Sequence, residues 1–242
     1  MHISKKNEVY LILNNIESST SQELTEFFTF EVPGAKFMPM YRNRMWDGKI
    51  RLYSQKLKEI YFGLYPYIKS FAEERGYQVV VGKSVDIDNK VDKEVVTKFS
   101  NSLGQKFEAR DYQIDAIYHS LKRNRMLLLS PTASGKSYII YALIRYYSHL
   151  IKNESNNRIL LIVPTTSLVE QMYTDFESYG WNVKKYCHRL YSGYSNQTDK
   201  KVLISTWQSL YKLPKEYFEQ FGVVFGDEAH LFKSKSLTIL FD

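Results

Sequence analysis

Apolar residues recur along this chain in two different patterns, and the change from one to the other divides it. Residues 8–13 read as a strand, and Thr20-Ser21-Gln22-Glu23 has the spacing of a capping box. In that device a hydroxyl and a carboxylate satisfy each other's unpaired backbone N–H groups at a helix start. The amphipathic helix it predicts carries Leu24, Phe27 and Phe28. Residues 49–53 alternate Ile50 and Leu52 against Lys49, Arg51 and Tyr53, which predicts a strand with the second set in solvent. A further short strand is predicted over 60–63. Pro66, whose fixed φ suits a first helical turn, opens a helix bearing Ile68 and Phe71 that Gly76 ends, and residues 78–81 return to an extended pattern. The result is a small α+β domain over residues 1–82.

Residues 83–106 turn polar and charged, apart from Val95, Val96, Phe99 and Leu103 at helical spacing between Asp92 and Gly104. This predicts a linker containing a helix. From residue 107 the chain alternates helices with short, nearly all-apolar runs at 126–129, 159–163, 202–205 and 223–225. Strands apolar on both faces and separated by helices require a parallel sheet covered on both sides. The expected fold class is therefore α/β over 107–242, preceded by the smaller α+β domain.

Among the 242 residues, 33 Lys and Arg face 26 Asp and Glu, a formal charge of +7. Such an excess favours a polyanionic partner, nucleic acid before an anionic membrane. The one cysteine, Cys187, excludes an intrachain disulfide and a zinc site built on several thiolates, and is expected in the core. No apolar run approaches the ~20 residues of a membrane span, and the first residues show no signal-peptide core. A cytoplasmic location without a membrane partner is expected.

The positive charge is concentrated. Residues 36–58 hold Lys36, Arg42, Arg44, Lys49, Arg51, Lys56 and Lys58 against Asp47 alone, with Tyr41, Trp46 and Tyr53 interleaved. Cations neutralise phosphates and release counterions, and aromatic faces stack on exposed bases. Arg42, Arg44, Trp46, Lys49 and Arg51 are thus candidate DNA contacts. The competing reading makes Phe37 and Trp46 core anchors and the cations a solvated face.

Residues 130–137, Ser-Pro-Thr-Ala-Ser-Gly-Lys-Ser, follow the predicted strand 126–129 and open a helix. Phosphate binding of the P-loop kind needs backbone N–H groups at a helix start, a lysine for the β- and γ-phosphates and a hydroxyl for Mg²⁺. Thr132, Ala133, Ser134, Gly135, Lys136 and Ser137 supply these parts, with Ser130 where the general pattern has its first glycine. Asp227-Glu228-Ala229-His230 follows the apolar run 223–226. That places two carboxylates at the carboxyl end of a buried strand, where open α/β sheets bind ligands. Asp227 is a candidate Mg²⁺ ligand with Ser137, and Glu228 a candidate base or orienting group for attacking water.

These two motifs resemble motifs I and II of superfamily 2 helicases and translocases. Three more stretches agree: Arg110-Asp111-Tyr112-Gln113, Ile162-Val163-Pro164-Thr165 and Ser205-Thr206-Trp207-Gln208. The amino-terminal stretch 37–52 with its Trp46-Asp47-Gly48, the pair Phe27-Phe28, and Phe62-Gly63-Leu64 resemble the UvsW-type DNA helicases of bacteriophages. The resemblance implies a RecA-like first motor lobe that uses ATP and Mg²⁺ and acts on branched or partly single-stranded DNA. It implies that Arg110 and Gln113 serve the adenine, that His230 links hydrolysis to DNA movement, and that Pro164, Thr165, Ser205 and Thr206 face the tracking strand. It also implies a motif III and a second RecA-like lobe, neither of which appears before Asp242. The expectation is an amino-terminal portion, from a truncation or a split gene, whose hydrolysis and unwinding require that second lobe. It would otherwise be a monomer, in an infected bacterial host. The alternatives are a non-catalytic DNA-binding fragment, a half-motor completed by another chain, a restriction-enzyme translocase subunit, or an RNA helicase.

Overall fold

The computed structural model describes residues 1–7, 9–85, 89–123, 125–131, 133–151 and 157–231. The chain divides into two units, Met1–Ile87 and Asp88–Asp242.

In the first unit β1 (His2–Lys5) pairs antiparallel with β2 (Tyr10–Asn14), His2 opposite Asn14. Then come α1 (Ser18–Phe27), β3 (Thr29–Glu31), α2 (Pro39–Arg42), β4 (Lys49–Arg51), β5 (Tyr53–Ser54), β6 (Glu59–Tyr61), α3 (Tyr65–Glu74) and β7 (Val80–Val81). Five strands form one sheet in the order β5-β6-β2-β1-β7, and β3 and β4 form a separate ribbon. Alternation along the strands sends Ile3, Leu11, Leu13 and Ile60 to one side, where they join Leu24 of α1, Phe28 at its end, and Ile68 and Phe71 of α3 in the core.

Two expectations here are corrected, and one strand was not anticipated. β1 had no predicted counterpart. Helix α1 begins at Ser18 with Glu17 as its cap and no side-chain capping bond. Thr20 and Ser21 are buried instead, and the Ser21 hydroxyl lies 2.9 Å from the Tyr53 hydroxyl. Residues 49–53 do not make one strand. The chain changes sheets at Leu52, whose N–H donates to the Phe28 carbonyl, so Ile50 is exposed while Tyr53 is buried.

The second unit begins with α4 (Lys93–Asn101), where the Asp92 side chain accepts from the Glu94 N–H. It continues with α5 (Asp111–Arg123), α6 (Lys136–Leu150), β8 (Arg158–Val163), α7 (Thr166–Ser178), α8 (Val183–Tyr186), β9 (Cys187–Leu190), β10 (Val202–Thr206), α9 (Trp207–Leu210) and β11 (Phe221–Gly226). The sheet runs β11-β8-β10-β9, with every pairing parallel. Alternate residues of the apolar strands serve opposite faces. Ile159, Leu161, Val163, Val202 and Ile204 pack against the helical core that includes α4 through Val96, whereas Leu160, Ile162 and Leu203 pack with Leu190 and Leu210. This two-sided burial is why those runs lack polar positions.

Two further differences matter. Strand β9 went unforeseen because its sequence, Cys-His-Arg-Leu, is half polar. Its Cys187 is buried as expected, and burial pushes the thiol up, leaving it inert. The predicted strand 126–129 is not formed: no ladder includes it, and Leu127 and Leu129 are exposed, Leu129 by 91%. This segment lies instead across a recess of about 740 Å³ from β11, which is an edge of the sheet among the described residues.

Candidate functional site

The loop before α6 is shaped by backbone conformation that few residues tolerate. Ala133 has φ +63° and Gly135 φ +79°, both left-handed, and Gly135 caps α6 with no side-chain bond. A Cβ at Gly135 would come within 2.4 Å of Gln113 Nε2, so glycine is required by space as well as by φ. Gln113 is buried and fully engaged: its Oε1 accepts from the Arg110 N–H at 3.0 Å and its Nε2 donates to the Ser134 carbonyl at 3.1 Å. The Tyr112 hydroxyl donates to the same carbonyl at 2.9 Å and accepts from Arg110 Nη1 at 2.9 Å. The start of α5 thereby grips the loop through two side chains. The Ser130 and Ser134 hydroxyls bond to each other across it.

Opposite this loop, at the carboxyl end of β11, Asp227 is nearly buried and its N–H donates to the Ile162 carbonyl at 2.9 Å. Burial raises its carboxyl above the ordinary range, with the neighbouring Glu228 adding to the rise and the Glu228 N–H and the Lys136 charge opposing it. Glu228 has φ +52°. Lys136 Nζ donates to Glu228 Oε1 at 3.0 Å, with both side chains about one-third exposed. The structure thus joins Lys136 to Asp227 and Glu228, 91 and 92 positions further along the chain, on one recess that Ser130 also lines. Ser137 does not line that recess; its hydroxyl lies 3.1 Å from the Tyr179 hydroxyl. Nothing in the sequence pattern pointed to Tyr179, whereas Tyr112 sat inside the motif quoted for Arg110 and Gln113. Thr132 and the His230 side chain lie outside the described residues.

The strand ends β8 and β10 are parallel neighbours, with Thr206 opposite Val163. Thr165 is exposed and caps α7, its hydroxyl accepting from the Leu168 N–H at 3.3 Å, while Pro164 is buried. Ser205 is fully buried, donating to the Leu190 carbonyl at 2.8 Å, and Thr206 is nearly so, bonded to the Ser209 hydroxyl at 3.0 Å. In this arrangement Thr165 is the member of the group that faces solvent.

In the first unit, Trp46 is half-buried and its indole N–H donates to the Lys49 carbonyl at 2.8 Å. Arg51 is paired with Asp47, whose carboxyl the guanidinium holds below its ordinary range, and Lys49 lies 3.7 Å from Glu31. Arg42 and Arg44 are exposed and have no carboxylate partner among the described residues. Phe37 is 75% exposed, which rules it out as a core anchor.

Residues 106–241 match the family described as type III restriction enzyme, res subunit, and residues 8–82 match that of the DNA helicase UvsW, N-terminal. The chain belongs to the UvsW-type helicases. It is 36% identical over 233 residues to the ATP-dependent DNA helicase uvsW of Enterobacteria phage T4, a match covering 92% of this chain and 45% of that protein. It therefore spans less than half the length of that relative. A crystal structure of the UvsW helicase from bacteriophage T4 superposes with a TM-score of 0.83 at 32% identity, covering 99% of this chain and 86% of that one. A second crystal structure of T4 UvsW gives 0.84 at 33% identity, covering 99% and 49%. The parallel sheet of the second unit is accordingly the first RecA-like lobe of this family. Among the described residues no helix is long and apolar enough to cross a membrane.

Proposed function

We propose that this chain is the amino-terminal portion of an ATP-dependent DNA helicase that acts on branched recombination or replication intermediates. Residues 1–82 form its DNA-binding domain, 83–106 a linker whose helix α4 packs into the core of the second unit, and 107–242 the first motor lobe. The observation that carries this reading is the Lys136–Glu228 contact of 3.0 Å, which sets a phosphate-binding loop against a carboxylate pair at a strand end.

The N–H groups of residues 133–137 at the start of α6 hold the phosphates of ATP, since a helix N-terminus attracts negative charge. Lys136 exchanges its carboxylate partner for the terminal phosphates, and Glu228 then accepts the proton of the attacking water. Asp227 and Ser137 offer the hard oxygen donors that Mg²⁺ prefers, directly or through water, once Ser137 turns from Tyr179. The ion would neutralise charge on the phosphates. Gln113 and Arg110 set the loop beside the adenine, Thr165 meets a strand phosphate, and His230 relays hydrolysis to DNA movement. Arg42, Arg44, Trp46, Lys49 and Arg51 hold DNA without reading its sequence. A second RecA-like lobe, on the same polypeptide or another, supplies arginines to the γ-phosphate, so the 242 residues alone bind ATP and DNA without unwinding.

The test compares ATP hydrolysis by the full-length protein with forked DNA, fully paired DNA and RNA. Strongest stimulation by the fork is expected; stimulation by RNA alone would overturn the substrate assignment.

A further inference from the structure

Residues 34–48, between β3 and β4, fold back on themselves. The Val32 N–H donates to the Gly48 carbonyl at 2.8 Å, the Arg44 N–H to Tyr41 at 3.0 Å and the Met45 N–H to Met40 at 2.9 Å. At Gly48, φ is +77° and a Cβ would sit 3.0 Å from both the Ala35 Cβ and the Tyr41 ring, so the base of this loop is closely packed. Its outer surface is the opposite of what packing favours. Phe37 is 75% and Met45 72% exposed, and Met38 and Met40 are exposed beside them. Single apolar side chains on a surface are ordinary, but a cluster on one short, braced loop marks a contact site.

The surrounding charge indicates what that contact is. Lys36, Arg42 and Arg44 border the apolar residues, and no carboxylate pairs with them among the described residues. With Tyr41, Met45, Trp46 and Asp47, whose carboxylate is paired with Arg51, they line an open recess of about 780 Å³. Apolar side chains flanked by cations are the means by which proteins unstack a base step while holding the adjoining phosphates.

We propose that residues 34–48 form a strand-parting wedge. Phe37 and Met45 press against the last base pair of a duplex where its strands diverge, and Lys36, Arg42 and Arg44 hold the phosphates of one diverging strand in the recess. This rests on the DNA reading given above, and extends it by naming the junction itself as what the loop recognises.

The test uses the full-length protein and a forked DNA carrying 2-aminopurine at the junction pair, with a fully paired duplex of equal length as reference. Without ATP, the wild type should raise the 2-aminopurine fluorescence of the fork as the base unstacks. The double variant Phe37→Ala/Met45→Ala should abolish that rise and slow unwinding about tenfold, in line with the loss of one base contact. Its melting temperature should hold, because both side chains are exposed, and its affinity for the duplex should persist through the cations. Phe37→Trp should keep the signal. An unchanged fluorescence rise in the double variant, with fork binding intact, would overturn the wedge and leave the DNA reading standing. Failure of the wild type to bind either DNA would remove both. Binding to phosphatidylserine vesicles that the double variant loses, with no fork signal in the wild type, would assign the loop to a membrane and overturn the proposal.

Discussion

Replacing Gly135 by alanine tests how the phosphate loop is built. Two costs arise. A left-handed φ of +79° disfavours any Cβ, by about 1–2 kcal/mol. The new Cβ would also stand 2.4 Å from Gln113 Nε2. A flexible side-chain end ordinarily yields at little expense, but Gln113 is only 5% exposed and is bonded to both Ser134 and Arg110. Moving it breaks two hydrogen bonds at about 0.5–1.5 kcal/mol each. The sum, about 2–5 kcal/mol, falls on the conformation that points the loop N–H groups at a phosphate. Each 1.4 kcal/mol is about tenfold in affinity, so Gly135→Ala should weaken ATP binding by about 30-fold or more. Titration of a fluorescent ATP analogue measures this. Adding Gln113→Ala removes the clash but not the backbone strain, so the double variant should fall short of the sum of the two single losses. Gly135→Ala binding within threefold of wild type would show that the left-handed turn and the Gln113 contact do not shape the loop, as would strictly additive losses.

Two further outcomes follow from burial. Asp227 is pushed up by burial, so the folded protein holds its proton more tightly than the unfolded chain. Stability from this group is therefore complete below the ordinary carboxylate range and declines as pH rises through the elevated value. Asp227→Asn should raise the melting temperature in Mg²⁺-free buffer at neutral pH and flatten that decline, while removing the added stability that Mg²⁺ with ATP confers; a lower melting temperature would contradict it. Ser205→Ala removes the buried hydroxyl that donates to the Leu190 carbonyl, at about 1–2 kcal/mol, and should lower the melting temperature by about 2–8 °C. Weaker DNA binding with no change in melting temperature would instead make that hydroxyl a phosphate contact.

The chemistry-bearing motifs were legible because their requirements are local. Gly135, Lys136 and the pair Asp227-Glu228 stand where a loop must turn left-handed or an apolar strand ends, and a short stretch of chain expresses each condition. The apolar strands β8 and β10 were legible because burial on both faces excludes polar residues, whereas β11 shares their composition although its Val224 is exposed. What the pattern missed depended on distant partners. Strand β9 keeps polar residues because Arg189 finds Glu170 at 2.5 Å and His188 finds the Ser195 carbonyl at 2.7 Å. Thr20-Ser21-Gln22-Glu23 carried a cap signal, yet packing drew Ser21 inward to Tyr53. The reversal of Ile50 and Tyr53 came from a change of sheet at Leu52, which a period of two cannot anticipate. Residues 126–129 have strand composition, but edge pairing is decided by what lies beside β11 and not by the segment itself. Tyr179 reaches Ser137 across 42 positions, beyond any sequence window.

On the proposed reading Lys136 and Glu228 face each other because one holds the terminal phosphates of ATP and the other the water that attacks them. The most direct measurement is DNA-stimulated ATP hydrolysis by the full-length protein and its Lys136→Ala variant, with the melting temperature of each recorded alongside. Hydrolysis should be lost while the variant, changed at a partly exposed side chain, remains folded and still binds forked DNA. Hydrolysis at the wild-type rate in Lys136→Ala would contradict that reading.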